Sequence, residues 1–488
     1  MVSFTLSLLA LIIGYLVYGR IVERVFGPDD RVTPALYKAD GVDYIVLPTW
    51  KIFMIQFLNI AGTGPIFGAI MGAKFGPVAY LWIVFGCIFA GATHDYLSGM
   101  LSMRNDGAGL PQLIGKYLGK TTKGVMLVFT VLLLIMVGTV FVYSPAEILH
   151  SIGGDTMMWI IIIFCYYIIA TMLPIDKIIG KVYPLFAFSL LFMAGALMVW
   201  LFLRWPTVPE LWTHFYNVGA ATEPDKWTDA IFPALFITVA CGAISGFHAT
   251  QSPLMARCVK DEHMGRPIFY GAMIIEGVVA LIWATVSAWF FYGEPAPGYE
   301  LIESAKNGFH TSAPAVVNLV CNDWLGVAGA ILAMLGVVAA PITSGDTAFR
   351  SGRLIVAEWL KMNQKPIAKR LMICIPMFAC SIVMLVWQIQ NPEGFNTIWQ
   401  YFGWSNQALS VFTLWTLTVF LVREKKCYWL TLIPALFMTT VCSTWLFVSK
   451  QALHLPGVIG YLLGGVCFVV ALVWFIQWMR KERQKIED

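Results

Sequence analysis

The chain has 488 residues, of which 59% are hydrophobic and 12% are charged, and its mean hydropathy is +0.74. Soluble domains carry about 25% charged residues, so this composition excludes a soluble protein and indicates an integral membrane protein. The net charge of +4 says little by itself, and no nucleic acid partner is expected. The ten cysteines include no CxxC pair, which indicates neither a disulfide framework nor a zinc site.

Apolar segments recur along the chain at about 20 residues each, the length that an α-helix needs to cross a bilayer. Repeated segments of this length indicate an all-α bundle rather than an outer-membrane barrel. With the N-terminus outside and the C-terminus inside, 27 of the 32 Lys and Arg residues lie on the cytoplasmic side, as the positive-inside rule requires. The thirteen predicted spans are 2–18, 51–72, 77–101, 121–146, 156–174, 182–203, 230–255, 267–291, 324–346, 369–388, 397–421, 428–448 and 457–478.

The spans divide the chain into four parts. Residues 50–204 and 205–422 each hold five spans, and each set begins with an interrupted one. Because five is odd, the second set must run with inverted orientation, which is typical of inverted-repeat transporters. Residues 1–49 add an N-terminal span and a cytoplasmic loop, and residues 423–488 add two spans and a basic tail.

The first interruption lies in the middle of span 51–72, at Gly62, Thr63, Gly64 and Pro65. Glycine removes backbone restraint and proline removes an N–H donor, so both are poor material for a helix interior. In lipid, a broken helix is tolerated only where the freed N–H and C=O groups line a cavity or meet other protein. The stretch therefore predicts a span that comes apart midway.

A second interruption is predicted at residues 241–248, within span 230–255. Half-helix starts expose N–H groups that favour a substrate carboxylate, and half-helix ends expose carbonyl groups that favour cations. Two such breaks in corresponding places are typical of a transporter's binding site. The alternative is a pair of glycine-rich kinks that only permit close helix packing. The residues expected to face the first break are Ser245, Gly246, Phe247 and His248.

Ionisable side chains inside spans are functional candidates, because placing a charged group in the bilayer interior costs much free energy. Glu276, Asp95 and His94 are of this kind, and each is a candidate for ion coupling. His94 and Asp95 are adjacent, so they are expected to point to different sides of their helix and not to pair. His248 could bind a carboxylate when protonated or shuttle a proton. The alternative for Glu276 and Asp95 is a structural role, as a cap for a helix break or a partner for arginine.

Ala340, Thr343 and Ser344 predict a site for a monovalent cation such as Na⁺. Two hydroxyl groups and the Ala340 carbonyl could supply the oxygen ligands that hard cations need. Carbonyl groups near Ala61 and Gly64, at the first break, would complete the set. The alternative is that the two hydroxyl groups bond back to their own helix.

Asp346 and Arg350 predict a salt bridge at the cytoplasmic rim. Their i, i+4 spacing places them on one helix face. Such a pair would be either structural or the latch of a gate.

Six segments together resemble the carbon starvation protein A (CstA) family: Asp40–Tyr44, Ile60–Pro65, Gly91–Asp95, Cys241–His248, Asp346–Arg353 and Phe402–Gln407. The resemblance implies a multi-pass secondary transporter of the bacterial inner membrane. It implies membership of the amino acid–polyamine–organocation superfamily, with a LeuT-like inverted 5+5 core. It also implies uptake of peptides, and of pyruvate in some members, during carbon starvation.

The resemblance also bears on the coupling ion. In sodium-coupled relatives of that fold an Ala-x-x-Thr-Ser pattern holds an ion, and Ala340, Thr343 and Ser344 match it. Many CstA members carry a His pair where this chain has Ile55 and Gln56. Proton coupling through that pair is therefore not carried over. The chain is also shorter than the long enterobacterial members, whose extra spans it lacks.

The residues favour a symporter rather than an enzyme, without a cofactor, for a small carboxylate-bearing nutrient. The resemblance implies that this nutrient is a short peptide or pyruvate. The carboxylate would bind N–H groups near Gly62–Gly64 and Ser245–Gly246, with Phe247 and His248 closing the pocket. Coupling would come from Na⁺ at the hydroxyl site or from H⁺ through Glu276. The lipid bilayer is the other expected partner, and no prediction is made about self-association.

Two other classes of protein compete with this hypothesis. An intramembrane metal-dependent enzyme could use His94, Asp95 and His248, but the sequence contains no HExxH and no GxSxG motif, which such enzymes commonly carry. A channel could also use half-helices for a filter. A one-chain inverted repeat argues against a pore of symmetric subunits.

Overall fold

The computed structural model describes residues 1–41, 43–172, 175–213, 230–294, 297, 313–364, 366–391 and 394–487. These residues are built from α-helices, with one isolated β-bridge between Thr207 and Glu294, which confirms the all-α fold class. The helices are α1 (Val2–Phe26), α2 (Pro34–Tyr37), α3 (Thr49–Ala61), α4 (Gly64–Phe75), α5 (Val78–Met103), α6 (Leu110–Leu118), α7 (Lys120–Ile152), α8 (Thr156–Met172), α9 (Ile175–Arg204), α10 (Ile231–Leu235 continued by Phe236–Thr238), α11 (His248–Ala256), α12 (Glu262–Tyr292), α13 (Ala313–Trp359), α14 (Ile367–Gln390), α15 (Gly394–Arg423), α16 (Trp429–Val448) and α17 (Gly457–Glu487).

Within the described ranges, ten helices are long and apolar enough to cross a membrane, and the bent pair α3–α4 makes eleven. The two remaining predicted spans correspond to weaker segments: α8 has 17 residues, and α10–α11 is interrupted. A multi-pass helical membrane protein is therefore confirmed, whereas the count of thirteen stays a prediction. Within the predicted outer loops of the second repeat, residues 214–229 and 298–312 lie outside the described residues.

The long helix α13 forms the centre of the bundle. It packs along α7 and α9, and it also contacts α3 and α11. Its Gly336 allows a close approach, since a Cβ there would lie 2.8 Å from the backbone of Leu190 on α9. Small residues permit such backbone contact between membrane helices. The first broken span is thus held inside the bundle rather than at its edge.

The first and last helices lie at the periphery. α1 packs against α12, and α17 packs mainly against α16. In the apolar 18-residue stretch of each helix, only 33% of the residues of α1 and 17% of those of α17 are buried within the protein. Apolar side chains on these exposed faces are suited to contact with lipid.

Glu262, the first residue of α12, anchors that helix at its predicted cytoplasmic end. Its buried carboxylate accepts hydrogen bonds from the Arg104 guanidinium at 2.8 and 3.0 Å and from the Asp29 N–H at 3.2 Å. A bidentate arginine–carboxylate pair fixes geometry well. These contacts tie α12 to the end of α5 and to the loop after α1.

Candidate functional site

The first break separates α3 from α4, whose axes are bent by 49°. Gly62 follows the last residue of α3 with φ +42° and ψ −147°, a conformation that strains any residue with a side chain. Pro65 lies in the first turn of α4, where its missing N–H breaks no helical hydrogen bond. Thr63 and Gly64 between them are buried. The break therefore lies at the predicted residues.

Carbonyl groups at the end of α3 lose their helical partners at this break. The Ser344 hydroxyl of α13 donates to the carbonyl oxygens of Leu58 at 3.1 Å and Asn59 at 3.0 Å. Ser344 is thus at the break, but on carbonyl groups that precede the predicted Ala61 and Gly64. Leu58, Asn59 and Ala61 all belong to the last turn of α3, whose carbonyls lack helical partners, whereas Gly64 lies beyond that turn.

The Thr343 hydroxyl behaves as the alternative reading expected. It lies 3.0 Å from the Ala339 carbonyl oxygen and 2.9 Å from the Ala340 carbonyl oxygen, to which it donates. Asn59, whose backbone carbonyl accepts from Ser344, has a fully buried side-chain amide with no hydrogen-bond partner among the described residues. One hydroxyl and two backbone carbonyls, with this amide nearby, form an oxygen-rich cluster at the end of α3.

The second break runs from Val239 to Phe247, between α10 and α11. Asn406 of α15 holds it: its Oδ1 accepts from the Phe247 N–H at 2.7 Å and from the Ser245 hydroxyl at 3.0 Å. The Asn406 carbonyl accepts from the Gly246 N–H at 3.2 Å. The Gly246 N–H, predicted to receive a substrate carboxylate, is therefore occupied within the protein, as is the neighbouring Phe247 N–H. A carboxylate could reach them only by displacing Asn406.

The two breaks are in direct contact. A Cβ on Gly64 would clash with the side chain of Cys241, and one on Gly68 would lie 2.9 Å from the Thr238 carbonyl oxygen. A Cβ on Gly242 would lie 3.9 Å from the Cα of Pro65. The glycines therefore allow the backbones of the two interrupted spans to touch. The two predicted roles of these glycines, close helix packing and formation of a binding site, are therefore compatible in the same residues.

A chain of buried ionisable side chains lies beside the second break. The Asp95 carboxylate of α5 contacts His94 Nδ1 at 2.8 Å with one oxygen and His248 Nδ1 at 2.8 Å with the other. The expectation that His94 and Asp95 do not pair is wrong. The imidazole is long enough to turn sideways along the helix surface and reach the neighbouring carboxylate, although the two Cβ atoms point in different directions. All three side chains are fully buried.

Glu276 of α12 joins this cluster from the other side. Its Oε2 lies 3.5 Å from His248 Nε2, and its side chain is fully buried. Both Glu276 oxygens, His94 Nε2 and His248 Nε2 have no hydrogen-bond partner among the described residues. Buried polar groups are nearly always hydrogen-bonded, so these atoms without hydrogen bonds are candidates for binding a proton, water, ion or substrate.

The structure places Asp346 and Arg350 away from the predicted cytoplasmic rim. Asp346 and Arg350 are fully buried along α13 rather than at a rim, because the helix continues to Trp359. Asp346 accepts a hydrogen bond from the Tyr183 hydroxyl at 2.7 Å, and Arg350 donates to the Ala170 carbonyl at 2.6 Å.

A different ion pair lies at the predicted cytoplasmic side. Arg257 donates to Glu358 at 3.1 Å and to the Gly107 carbonyl at 2.9 Å. These two residues line a small crevice that extends to Thr250 and Ser351, in the helices beside the second break. Arg257 therefore links the end of α11 with α13 and with the loop after α5.

The family profile described as "Carbon starvation protein CstA" matches residues 1–152, 142–327 and 301–444 of this chain. The chain belongs to the CstA family. The motif segments that carry the family resemblance therefore include the two breaks and Asn406, which meet in space.

Relatives of this CstA-family chain are named as transporters. The peptide transporter CstA of Bacillus subtilis (strain 168) is 27% identical, over 96% of this chain and 94% of that protein. The pyruvate/proton symporter BtsT of Escherichia coli (strain K12) is 24% identical, over 87% of this chain and 78% of that protein. A crystal structure of a variant manganese transporter from Eremococcus coleocola superposes with a TM-score of 0.56 at 11% identity, over 91% of this chain and 99% of that one. The names support a membrane transporter and not an enzyme, and the superposition shows a shared fold.

Several residues of the site were missed by sequence reasoning. Asn406 lies in Phe402–Gln407, one of the segments that resemble the CstA family, but its position in the sequence does not assign it to the second break. Cys241, Tyr183 and Asn59 were likewise given no role. Polar residues inside apolar spans were the available signal for Asn406 and Asn59.

Proposed function

We propose that this CstA-family chain is a secondary active transporter of the bacterial inner membrane. It imports a small carboxylate-bearing nutrient, a short peptide or pyruvate, in response to carbon starvation. The observation that carries the proposal is the contact between two interrupted spans in the middle of the bundle, beside buried polar atoms without partners. Such a junction is where transporters of inverted-repeat type bind substrate. The names of the Bacillus subtilis and Escherichia coli relatives support peptide and pyruvate as substrates.

The proposed architecture has thirteen spans and a LeuT-like inverted 5+5 core of the amino acid–polyamine–organocation type. In this arrangement one five-helix set rocks against the other, and access to the junction alternates between the two sides. The ion pair between Arg257 and Glu358 closes the cytoplasmic side while it is intact. This pair takes the gating role first predicted for Asp346 and Arg350.

The substrate carboxylate is proposed to bind at the first break. The N–H groups around Gly62 and Gly64 start α4, and a helix start favours negative charge. Thr63 adds a buried hydroxyl without a partner among the described residues. Ser245, Gly246 and Phe247 shape the opposite wall, because Asn406 already occupies their donors. The carboxylate therefore depends on the first break more than on the second.

The coupling ion is proposed to be Na⁺, cotransported as a second substrate at Ser344. The Ser344 hydroxyl oxygen lies 3.1 Å from the Leu58 carbonyl oxygen and 3.0 Å from the Asn59 carbonyl oxygen, so three possible oxygen ligands are already close together. A hard cation prefers such oxygen ligands. Ala340 and Thr343 border this cluster on α13 and hold its geometry by their own hydrogen bond.

Uptake by reconstituted protein tests this proposal. Proteoliposomes would receive labelled pyruvate or a labelled dialanine peptide under an inward Na⁺ gradient, an inward H⁺ gradient, or neither. We expect the Na⁺ gradient to accelerate uptake of one of these substrates at least tenfold, and Ser344→Ala to remove that acceleration. Ser443→Ala is the matched control, since its hydroxyl also donates to backbone carbonyls but lies on α16, away from the breaks.

Three outcomes would contradict parts of the proposal. Uptake driven by the H⁺ gradient alone would contradict Na⁺ coupling and favour the alternative route through Glu276. Uptake indifferent to both gradients would remove the symporter. Flux that fails to rise when substrate is preloaded on the far side would favour a channel over a carrier.

A further inference from the structure

Three side chains of different chemistry converge at the second break. Cys241 Sγ, a ring nitrogen of His248 and a Glu276 oxygen all lie within 4.8 Å of one another, and His248 Nε2 and Glu276 Oε2 are 3.5 Å apart. All three residues are buried, with exposures of 4%, 0% and 0%. Tetrahedral Zn²⁺ with one S, one N and one O ligand separates its ligand atoms by about 3.3 to 3.7 Å, from bond lengths near 2.0 to 2.3 Å. Small side-chain rotations would therefore bring the trio to ligand spacing.

The orientation of His248 also suits a metal ligand. Its Nδ1 contacts the Asp95 carboxylate at 2.8 Å, which leaves Nε2 directed at Glu276. Metal-bound histidines commonly give their other ring nitrogen to a carboxylate, which fixes the tautomer and the ring. Asp95 is itself held by His94 at 2.8 Å. The outer support of a metal site is thus already built around His248.

The three ligand groups make few other hydrogen bonds. Both Glu276 oxygens and His248 Nε2 have no hydrogen-bond partner in the described part of the chain. Cys241 Sγ has two weak contacts, at 3.8 Å to the Ser245 hydroxyl and at 3.6 Å to the Asn406 amide nitrogen. Sulfur hydrogen bonds at these distances are easily exchanged for a metal bond. Buried polar atoms without partners are rare in a folded protein, and a bound cation would satisfy all of them together.

The donor set selects the class of metal. Thiolate and imidazole favour Zn²⁺ and similar transition metals, whereas Mg²⁺, Ca²⁺ and Na⁺ take oxygen ligands. We propose that Cys241 Sγ, His248 Nε2 and the Glu276 carboxylate bind one divalent transition-metal ion of the Zn²⁺ class. Cys241 binds as the thiolate and releases its proton to water. The fourth tetrahedral position is taken by a water molecule.

Metal binding here has a mechanical consequence, which rests on the proposed transport function. Cys241 and His248 lie in and directly after the second break, and Glu276 belongs to α12. A metal bonded to all three joins the break to a neighbouring helix. All three ligands belong to the second five-helix set, so the metal fixes the interrupted span at the junction where substrate is proposed to bind. Zn²⁺ therefore acts as an inhibitor of uptake.

Co²⁺ is the probe for the site itself, since a thiolate ligand gives it a charge-transfer absorption band and a tetrahedral site gives it strong visible bands. The full chain, purified in detergent and washed with chelator, would be titrated with Co²⁺ and then with Zn²⁺. We expect one Co²⁺ per chain, the thiolate band, and displacement by Zn²⁺. Cys241→Ser loses the band, whereas Cys258→Ser keeps it. Cys258 is the matched control because it is a fully buried thiol just beyond α11 that bonds back to the Leu254 carbonyl.

A positioning variant guards against misfolding of the ligand variant. Asp95→Asn keeps all three ligands and loses only the carboxylate behind His248, so Co²⁺ affinity should fall about 10- to 100-fold with the thiolate band retained. Identical spectra for the wild-type chain and Cys241→Ser would overturn the proposal. Absence of bound Co²⁺ from a wild-type chain that elutes as a monodisperse peak would also overturn it.

The inhibition arm uses uptake normalised to each variant's own rate without metal. Saturating Zn²⁺ should reduce wild-type and Cys258→Ser uptake at least tenfold and leave Cys241→Ser at more than half of its metal-free rate. If the reconstituted chain shows no uptake under any gradient, the transport function fails, and the Co²⁺ spectra still decide the metal site. Equal Zn²⁺ inhibition of wild-type and Cys241→Ser chains would contradict the assignment of this site.

Discussion

Asn406→Leu tests whether one amide holds the second break together. Asn406 Oδ1 accepts two hydrogen bonds, from the Phe247 N–H at 2.7 Å and the Ser245 hydroxyl at 3.0 Å. Leucine has the same branched arrangement of heavy atoms, so the substitution removes the acceptor and keeps a side chain of similar shape, although its two methyl groups are larger. Both donors are then left buried without a partner.

The expected effect follows from these two bonds. Each unsatisfied buried donor costs about 1 to 2 kcal/mol, between the values found in soluble proteins and in membrane helices. Two of them destabilise the break by about 2 to 4 kcal/mol, which increases its opening about 30- to 1,000-fold. The Gly246 N–H keeps its partner, because that bond goes to the backbone carbonyl of Asn406.

Hydrogen exchange measured by mass spectrometry on a peptide covering residues 239–250 reports this opening directly. We expect exchange of this peptide in Asn406→Leu to accelerate by the factor above, with peptides from α16 unchanged. Gln388→Met is the matched control, because Gln388 is a buried amide whose side-chain atoms have no partner among the described residues. Equal acceleration at residues 239–250 in both variants, or none in Asn406→Leu, would refute the reasoning.

Three further predictions concern other parts of the molecule. Gly64→Ala places a Cβ against Cys241 and should reduce uptake at least tenfold by pushing the two breaks apart, whereas Gly124→Ala, with open space around its Cβ, should leave the initial rate unchanged. The ion pair between Arg257 and Glu358 has a carboxylate that is 28% exposed. A double-mutant cycle with Arg257→Gln and Glu358→Gln should give a coupling energy of about 0.5 to 2 kcal/mol in thermal unfolding. Additive effects of the two substitutions would contradict the pairing. The Tyr37 hydroxyl at the end of α2, and then Lys38, hold the pKa of Asp106 below its ordinary value of 3.8. Because the pKa of the folded state is the lower one, this stabilisation of the fold is present above pH 3.8. It is lost as the pH falls below that value. The temperature of thermal unfolding should therefore decrease as the pH is lowered below 3.8, and Tyr37→Phe should weaken that pH dependence.

Much of the fold was predictable from local features. Span length and hydrophobicity act along the chain, so the positions of the long helices could be read from composition. The first break was also predictable, because Gly62 with φ +42° and Pro65 impose their geometry whatever the neighbours are. The end of α13 was not predictable in this way. The helix extends to Trp359 because surrounding helices bury Asp346 and Arg350, which a hydropathy pattern treats as the end of a span.

The site divides in the same way. The sequence by itself determined that two spans are interrupted. It also determined that Asp95, His248 and Glu276 are ionisable residues within spans, whose free-energy cost in a membrane makes them functional candidates. Only the tertiary structure decided which of these polar groups meet. His248 reaches Asp95 across 153 positions of sequence, and Asn406 occupies donors 159 positions away. Contacts of this kind depend on how distant helices pack, and no periodicity along the chain records that packing.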